Sequence, residues 1–334
     1  MASVGVIGAG SFGTCLAMLL GGKGHQVTLW ARRPEFAAAL ANTRVNQTYL
    51  PEVELPTTVE VTSDLQTAVS DKKFVLATTP SHAAREVLGQ AAAWLAPDTI
   101  VVNASKGLEQ GSLARIDQIY ADIFPAPIAA RATHLSGPTF AKEIAQRLPS
   151  AIVIAGADPE ATGAVQQEFS TDRFRVYTSE DVIGVQMGGA LKNVIAIAAG
   201  MSDGLEFGLN TRAALMTRGL AEISRIGVKM GANPLTFAGL SGMGDLVLTC
   251  AGELSRNRRV GLALGRGRKL DDIIAEMQMV AEGVKTTRAA AELAAREGVS
   301  APITDVMHAV LYEDLPARAA LTALMGRSLK SELS

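Results

Sequence analysis

Apolar residues along the chain fall into two regimes. Up to about residue 180, short apolar runs alternate with stretches of helical spacing. Runs at 4–7, 27–30, 74–77, 99–102, 134–135 and 151–154 predict strands, and the first ends in glycines as a buried parallel strand would. Helical periodicity at 11–21, from Pro34-Glu35 onward, and at 83–95, 113–123, 140–146 and 159–168 fills the intervals. Such alternation predicts βαβ units and a parallel sheet covered on both faces. From about Asp181 the strand pattern stops, and segments 182–199, 211–230, 234–240, 256–265, 270–277, 286–297 and 302–311 read as helices. The expected organisation is an α/β domain over 1–183 and an all-α domain over 184–334. No low-complexity linker separates them, so a cleft between the two is the natural site.

Composition changes this picture little. With 334 residues, 48% hydrophobic and 19% charged, the chain suits two domains with large buried interiors. A net charge of −2 gives no basic field for nucleic acid or an acidic membrane surface. Cys15 and Cys250 lack CxxC spacing, and His25, His82, His134 and His308 lack ligand spacing, so no metal is expected. Both cysteines sit among apolar neighbours and read as buried small hydrophobes. Residues 2–22 carry no charge, but six glycines and the missing basic flank argue for strand-loop-helix over a signal or membrane segment. A reducing cytoplasm and no membrane insertion are expected.

Candidate chemistry begins at Gly8-Ala9-Gly10-Ser11-Phe12-Gly13, a GxGxxG between a predicted strand and helix. Gly8 allows the tight turn, Gly10 close approach to a pyrophosphate, and Gly13 helix packing, with helix amides aimed at the phosphates. The fold class is therefore an α/β Rossmann-type parallel-sheet N-terminal domain followed by an all-α C-terminal domain. In VTLWARR the second strand ends without the acid that would bind a ribose 2′-hydroxyl. Arg32 and Arg33 stand there instead, either as forks for a 2′-phosphate or as a solvated pair opening a surface loop. The phosphate reading favours NADP(H), with NAD(H) possible.

Further on, Lys192 and Asn193 interrupt a helix that is otherwise apolar all round. Lys192 must snorkel to water or be held in a desolvated site, where an amine serves as acid or base near neutral pH. Gly188-Gly189, one turn earlier, permits another backbone or a cofactor to approach. Lys106 follows a strand at the carboxyl edge of the sheet, where ligands of such sheets bind. The turn 136–141 (SGPTFA), Asp245 after a tight turn, and Ser255-Arg256-Asn257 at a helix start complete a set suited to a small phosphorylated substrate.

With these residues in view, the chain resembles the bacterial NAD(P)-dependent sn-glycerol-3-phosphate dehydrogenases. The likeness runs through GAGSFGT (8–14), LWARRPE (29–35), PSH (80–82), SKGLE (105–109), SGPTFAKE (136–143) and GVQMGGALKNVIAIAAGMSDG (184–204). It continues through GDLVLTC (244–250), SRNRR (255–259), AEG (281–283) and PIT (302–304). The resemblance implies a fold similar to 6-phosphogluconate dehydrogenase and reversible reduction of dihydroxyacetone phosphate to sn-glycerol 3-phosphate, the backbone of glycerophospholipids. It implies that Lys192 exchanges the proton with the reacting oxygen while Lys106 and Asp245 polarise and orient it. Gly137, Thr139, Ser255, Arg256 and Asn257 would hold the substrate, Arg256 its phosphate. Ser11, Phe12, Arg32, Lys106, Ala141, Arg256, Val280 and Glu282 would meet the cofactor. Glu282 suits ribose hydroxyls or the carboxamide, not phosphate, and the sequence does not choose between them.

Related two-domain dehydrogenases for 3-hydroxyacids or 6-phosphogluconate lack the SRN element after GDLVLTC. A redox-sensing NADP(H) module would need none of Lys192, Lys106 and Asp245. The apolar helical half is compatible with a homodimer.

Overall fold

Strands buried on both faces build the N-terminal half of the molecule. The structure, a computed structural model, describes residues 1–277, 281–329 and 331–332. Its strands are β1 (Ser3–Ile7), β2 (Gln26–Trp30), β3 (Val45–Asn46), β4 (Leu50–Glu54), β5 (Val59–Thr62), β6 (Phe74–Ala77), β7 (Ile100–Asn103), β8 (Thr133–Ser136), β9 (Ser150–Ala155) and β10 (Phe174–Ser179). Eight of them form one sheet in the order β5-β2-β1-β6-β7-β8-β9-β10, while β3 and β4 pair separately. Phe74 and Leu76 pack into the core on one face, and Val75 and Ala77 into that on the other. With both faces covered, the central strands β1, β6 and β7 are buried along nearly their whole length.

The sheet is parallel from β5 through β8, and then it reverses. β9 pairs antiparallel with β8, with His134 opposite Ala155 and Ser136 opposite Val153. The only helix between these strands, Ala141–Ala145, has five residues. That is too short to carry the chain back for a parallel crossover. β10 then pairs parallel with β9. The strand order reverses direction between β1 and β6, so a crevice opens at their carboxyl ends.

The helix Val182–Gly204 is the axis of the second half, with 18 of its 23 residues buried. It meets Arg256–Gly265 backbone to backbone: a Cβ on Gly200 would lie 2.0 Å from Arg258 O, and one on Gly261 1.9 Å from Ile197 O. Only glycine fits such a crossing. Gly208–Lys229, Asp245–Ala251 and Glu282–Glu297 also pack against the central helix. It is long and apolar enough to cross a membrane by length and composition, but 83% of its most apolar window is buried within the protein. Such all-round burial is how a core helix comes to be apolar on every face.

The halves are stitched together by Gln186, which donates to Asp117 Oδ1 (2.8 Å) and accepts from Asp117 N (3.2 Å). The prediction of helices at 113–123 and 286–297 is adjusted to Ile116–Ile123 and Glu282–Glu297. Helices Asp245–Ala251 and Ala317–Met325, and strands β5 and β10, were not anticipated by the apolar pattern.

Candidate active site

The glycine loop after β1 shows two separate uses of glycine. A Cβ on Gly13 would sit 1.9 Å from Gly8 O, so Gly13 is demanded by the loop's own closure. A Cβ on Gly10 would meet nothing within 4 Å, because Gly10 borders open cleft. Gly10 starts the Ser11–Gly22 helix with no side-chain cap and no acid in the first turn, which leaves a positive helix end toward the cleft. Thr78 Oγ1 donates to Ile7 O (3.0 Å) and Gly8 O (2.9 Å), and Asn46 Nδ2 to Ala9 O (3.0 Å) and Thr14 Oγ1 (2.8 Å). The cradle is thus rigid, and Gly10 carries no side chain on the side that a phosphate would approach. These residues fit a dinucleotide.

At the end of β2 the two arginines differ. Arg33 is 3.9 Å from Glu35 and 5.4 Å from the Phe36 ring centre. Arg32 is exposed, lines the same cleft and has no hydrogen bond or ion pair among the described residues. Trp30 is buried and donates to Ser63 O (3.0 Å), which makes it core.

The cleft, of about 770 Å³, runs from the glycine loop to the central helix. At its inner end one carboxylate lies between two ammonium groups. Lys106 Nζ is 2.6 Å from Asp245 Oδ2, and Lys192 Nζ is 2.8 Å from Asp245 Oδ1. Lys192 also donates to Thr249 Oγ1 (2.6 Å), whose hydroxyl donates in turn to Asp245 O (2.6 Å). Lys192 is only 6% exposed, so it is held and does not snorkel. Gly189 makes room for Ser136, whose Oγ would be 2.6 Å from a Cβ there, and Gly188 for Ser241 O at 2.5 Å. The close approach that these glycines permit is made by the protein itself.

Burial lowers the Lys192 ammonium to about 8, with Lys106 pushing the same way and Asp245 opposing. Burial would raise the Asp245 carboxyl, but the two lysines outweigh it and hold the group below the usual range. A poised ammonium beside a fixed anion can donate and retrieve a proton near neutral pH.

Glu282 opens its helix within the same inner region. Its Oε1 accepts from Ser81 N at 3.2 Å. Burial raises its pKa against the pull of that amide, Arg256, Lys106 and Lys192. The charges acting on it belong to the reacting end, which an acid can serve by accepting from hydroxyl or amide donors. Arg256 follows the cap Ser255, whose Oγ accepts from Arg258 N (3.2 Å). Asn257 donates to Asn193 Oδ1 (2.9 Å) and accepts from Gly283 N (3.0 Å), tying three helices together under the cleft.

Gly8, Gly10, Ser11, Phe12, Gly13, Arg32, Arg33, Lys106, Thr139, Ala141, Lys192, Asp245, Ser255, Arg256, Asn257 and Glu282 all line this one cleft. Gly137 lies beside it, its carbonyl accepting from Lys106 Nζ (3.4 Å) and Thr139 Oγ1 (3.2 Å). Val280 falls outside the described residues. Sequence reasoning missed Thr249 as the partner of Lys192. Its signal was its place one turn after Asp245, visible only once residues 245–251 are known to be helical.

Comparison with known proteins follows the same division. Residues 3–162 match the family model for the N-terminus of NAD-dependent glycerol-3-phosphate dehydrogenase, and residues 181–322 the model for its C-terminus. The glycerol-3-phosphate dehydrogenase (NAD(P)+) of Geobacter sulfurreducens is 54% identical over 98% of both chains. That of Geobacter metallireducens is 55% identical over the same shares. The crystal structure of glycerol-3-phosphate dehydrogenase from Coxiella burnetii superposes with a TM-score of 0.93 at 36% identity, covering 98% of this chain and 99% of that one. A ketopantoate reductase from Ralstonia eutropha shares the fold at a TM-score of 0.60 and 16% identity, covering 96% of this chain and 99% of that one.

Proposed function

The chain belongs to the NAD-dependent glycerol-3-phosphate dehydrogenase family, and from that premise we propose how its own residues divide the work. It is an oxidoreductase that interconverts dihydroxyacetone phosphate and sn-glycerol 3-phosphate with NADP(H) or NAD(H). The nicotinamide, when bound, supplies or accepts the hydride.

Lys192 is the proton donor to the carbonyl oxygen in reduction and the acceptor from the hydroxyl in oxidation. Ketone reduction builds negative charge on that oxygen, so a neighbouring ammonium stabilises the transition state more than the ground state. Asp245 fixes the Lys192 amine and balances its charge, and Lys106 adds a second positive group at the same oxygen. The observation behind this reading is the shared carboxylate, with both ammonium groups within 2.8 Å of Asp245 in the wall of the cleft.

Arg256, Ser255 and Asn257, at the start of one helix, and Thr139, in the turn after Gly137, hold the substrate, with Arg256 on its phosphate. That remote anion provides binding energy which orients the carbonyl. Gly8, Gly10, Ser11, Phe12 and Gly13 cradle the cofactor pyrophosphate, and Ala141 lines the same cleft on the cofactor side. Arg32 takes the adenosine 2′-phosphate, which favours NADPH, and Arg33 assists only weakly because Glu35 and Phe36 hold it. Glu282 accepts from ribose or carboxamide donors at the reacting end.

The same reading divides the chain into a nucleotide-binding domain (1–183) and a substrate domain (184–334). It places the enzyme in the cytoplasm, as a supplier of the glycerophospholipid backbone, with a homodimer as its assembly. Loss of nicotinamide absorbance with purified protein, dihydroxyacetone phosphate and NADPH tests the activity. Wild-type turnover by Lys192→Ala overturns the assignment of the proton donor.

A further inference from the structure

His82 stands on the turn after β6, at the carboxyl edge of the sheet next to the glycine loop, and lines the cleft. Two cations face it from two other elements. Arg32 comes from the end of β2, and Lys285 from the helix Glu282–Glu297 of the other domain. Of the other charges near the turn, Glu86 is exposed four residues further on and makes no hydrogen bond or ion pair among the described residues. Glu282 is directed to the Ser81 amide, and Arg85 is bound to Glu109 (2.7 Å) and Asp122 (3.0 Å). Among the described residues, the charges that shift the His82 ring are those of Lys285 and Arg32, both positive. His82 and Arg32 therefore line one cleft at the carboxyl ends of β6 and β2, and the Lys285 charge acts on the same ring. Like charges held together in this way form an anion site.

We propose that His82 is a titratable arm of the 2′-phosphate site, acting with Arg32 and Lys285, so that discrimination between NADPH and NADH is set partly by pH. The proposal rests on the assignment of Arg32 to the 2′-phosphate. Burial, Lys285 and Arg32 all favour the neutral ring in the free protein. A dianionic phosphate placed among these groups reverses the local field and draws a proton onto the imidazole. Binding of NADPH then takes up a proton from solution in the near-neutral range, while binding of NADH does not. His82 thereby becomes a determinant of cofactor choice that the arginine pair alone does not reveal.

Calorimetry of NADPH and NADH binding to the whole enzyme, between about pH 6 and 8.5 and in buffers of different ionisation enthalpy, tests this directly. The phosphate's own second ionisation lies near about pH 6, so wild type and His82→Gln are compared at every pH. Lowering the pH should raise the NADPH-to-NADH affinity ratio of wild type by about three- to fivefold relative to His82→Gln, the scale of one partly solvated charge pair. The difference in proton uptake between the two cofactors should shrink in His82→Gln. Identical ratios and uptake in the two proteins overturn the proposal. Equal weakening of NADPH and NADH also overturns it and assigns His82 to the pyrophosphate they share. Arg32→Ala separates this from its premise. A ratio that collapses in Arg32→Ala but is untouched in His82→Gln sinks only the role of His82, whereas a ratio untouched in both sinks the 2′-phosphate site itself. His82 is solvent-accessible, so the glutamine variant is expected to fold, and its melting temperature checks this.

Discussion

Lys192 Nζ stands 2.8 Å from Asp245 Oδ1, and both groups are buried. The contact sets the acidity of the proton donor from two sides. Burial pulls the ammonium toward neutrality, and the carboxylate resists. The result, about 8, lies within the range where one amine can serve both directions of a reversible reaction.

The first prediction concerns pH and direction. Reduction needs protonated Lys192, so kcat/KM for dihydroxyacetone phosphate should be level below about 8 and fall above it, by about tenfold per pH unit. Oxidation of sn-glycerol 3-phosphate needs the neutral amine and should rise toward the same point and then level off. Initial rates in both directions across pH 6 to 10 check this. Limbs of the same sign in both directions would remove Lys192 from the proton transfer. Lys192→Ala should lower kcat by about 10²- to 10⁴-fold, the usual worth of general acid catalysis.

Asp245→Asn isolates the carboxylate. Asp245 raises the Lys192 pKa, and Lys106 and burial lower it. Without the anion two ammonium groups face each other in a desolvated wall, so the high-pH limb of reduction should move to lower pH by about 1 unit or more. Rate profiles of the variant decide the matter. A loss of activity with the limb unmoved would show that Asp245 orients substrate and leaves the acidity of Lys192 alone.

The glycine fingerprint, the lysine in the apolar helix and the Arg-Arg pair were legible in the sequence because each is local. Loop closure at Gly13, or a charge within an apolar stripe, depends on neighbours a few residues away. The reversal of β9 was not legible, since an apolar strand reads the same in either direction. β5 was hidden by its edge position, where Glu60 is exposed between Val59 and Val61. The contact between Lys192 and Thr249 joins residues 57 apart and exists only after two helices pack. So does the Gln186–Asp117 clamp between the domains.

Stability should carry a pH signature away from the cleft. Glu222 is 2% exposed and accepts from Ile303 N (2.7 Å) and Thr304 N (3.2 Å) at the start of the Pro302–Tyr312 helix. Burial nevertheless raises its pKa from 4.5 to about 7. An acid whose folded pKa is raised favours the fold most when protonated. Its contribution is therefore greatest below about 4.5, declines as pH rises to about 7, and is flat above that. The span is on the order of 3 kcal/mol. Chemical denaturation of wild type and Glu222→Gln between pH 5 and 8 should show this slope in wild type and a weaker one in the variant, whatever its baseline stability. Parallel slopes would mean that Glu222 is ionised to the same extent in folded and unfolded chains.

Gly10 and Gly13 of the cofactor loop should separate folding from binding. At Gly13 an alanine methyl would meet Gly8 O at 1.9 Å and Thr78 Oγ1 at 2.5 Å, and backbone cannot yield that far without opening the loop. Gly13→Ala should therefore lose about 2 kcal/mol of stability or more, as overpacked buried sites do. Gly10→Ala adds a methyl where the protein has nothing within 4 Å. Its melting temperature should match or slightly exceed wild type, because alanine restricts the unfolded chain. Its affinity for NADPH and NADH should fall together by about tenfold or more, since the methyl occupies the approach of the pyrophosphate common to both. Melting curves and nucleotide titrations of the two variants test the contrast. A Gly10→Ala protein that binds both cofactors like wild type would show that the open side of Gly10 is not where the phosphates rest.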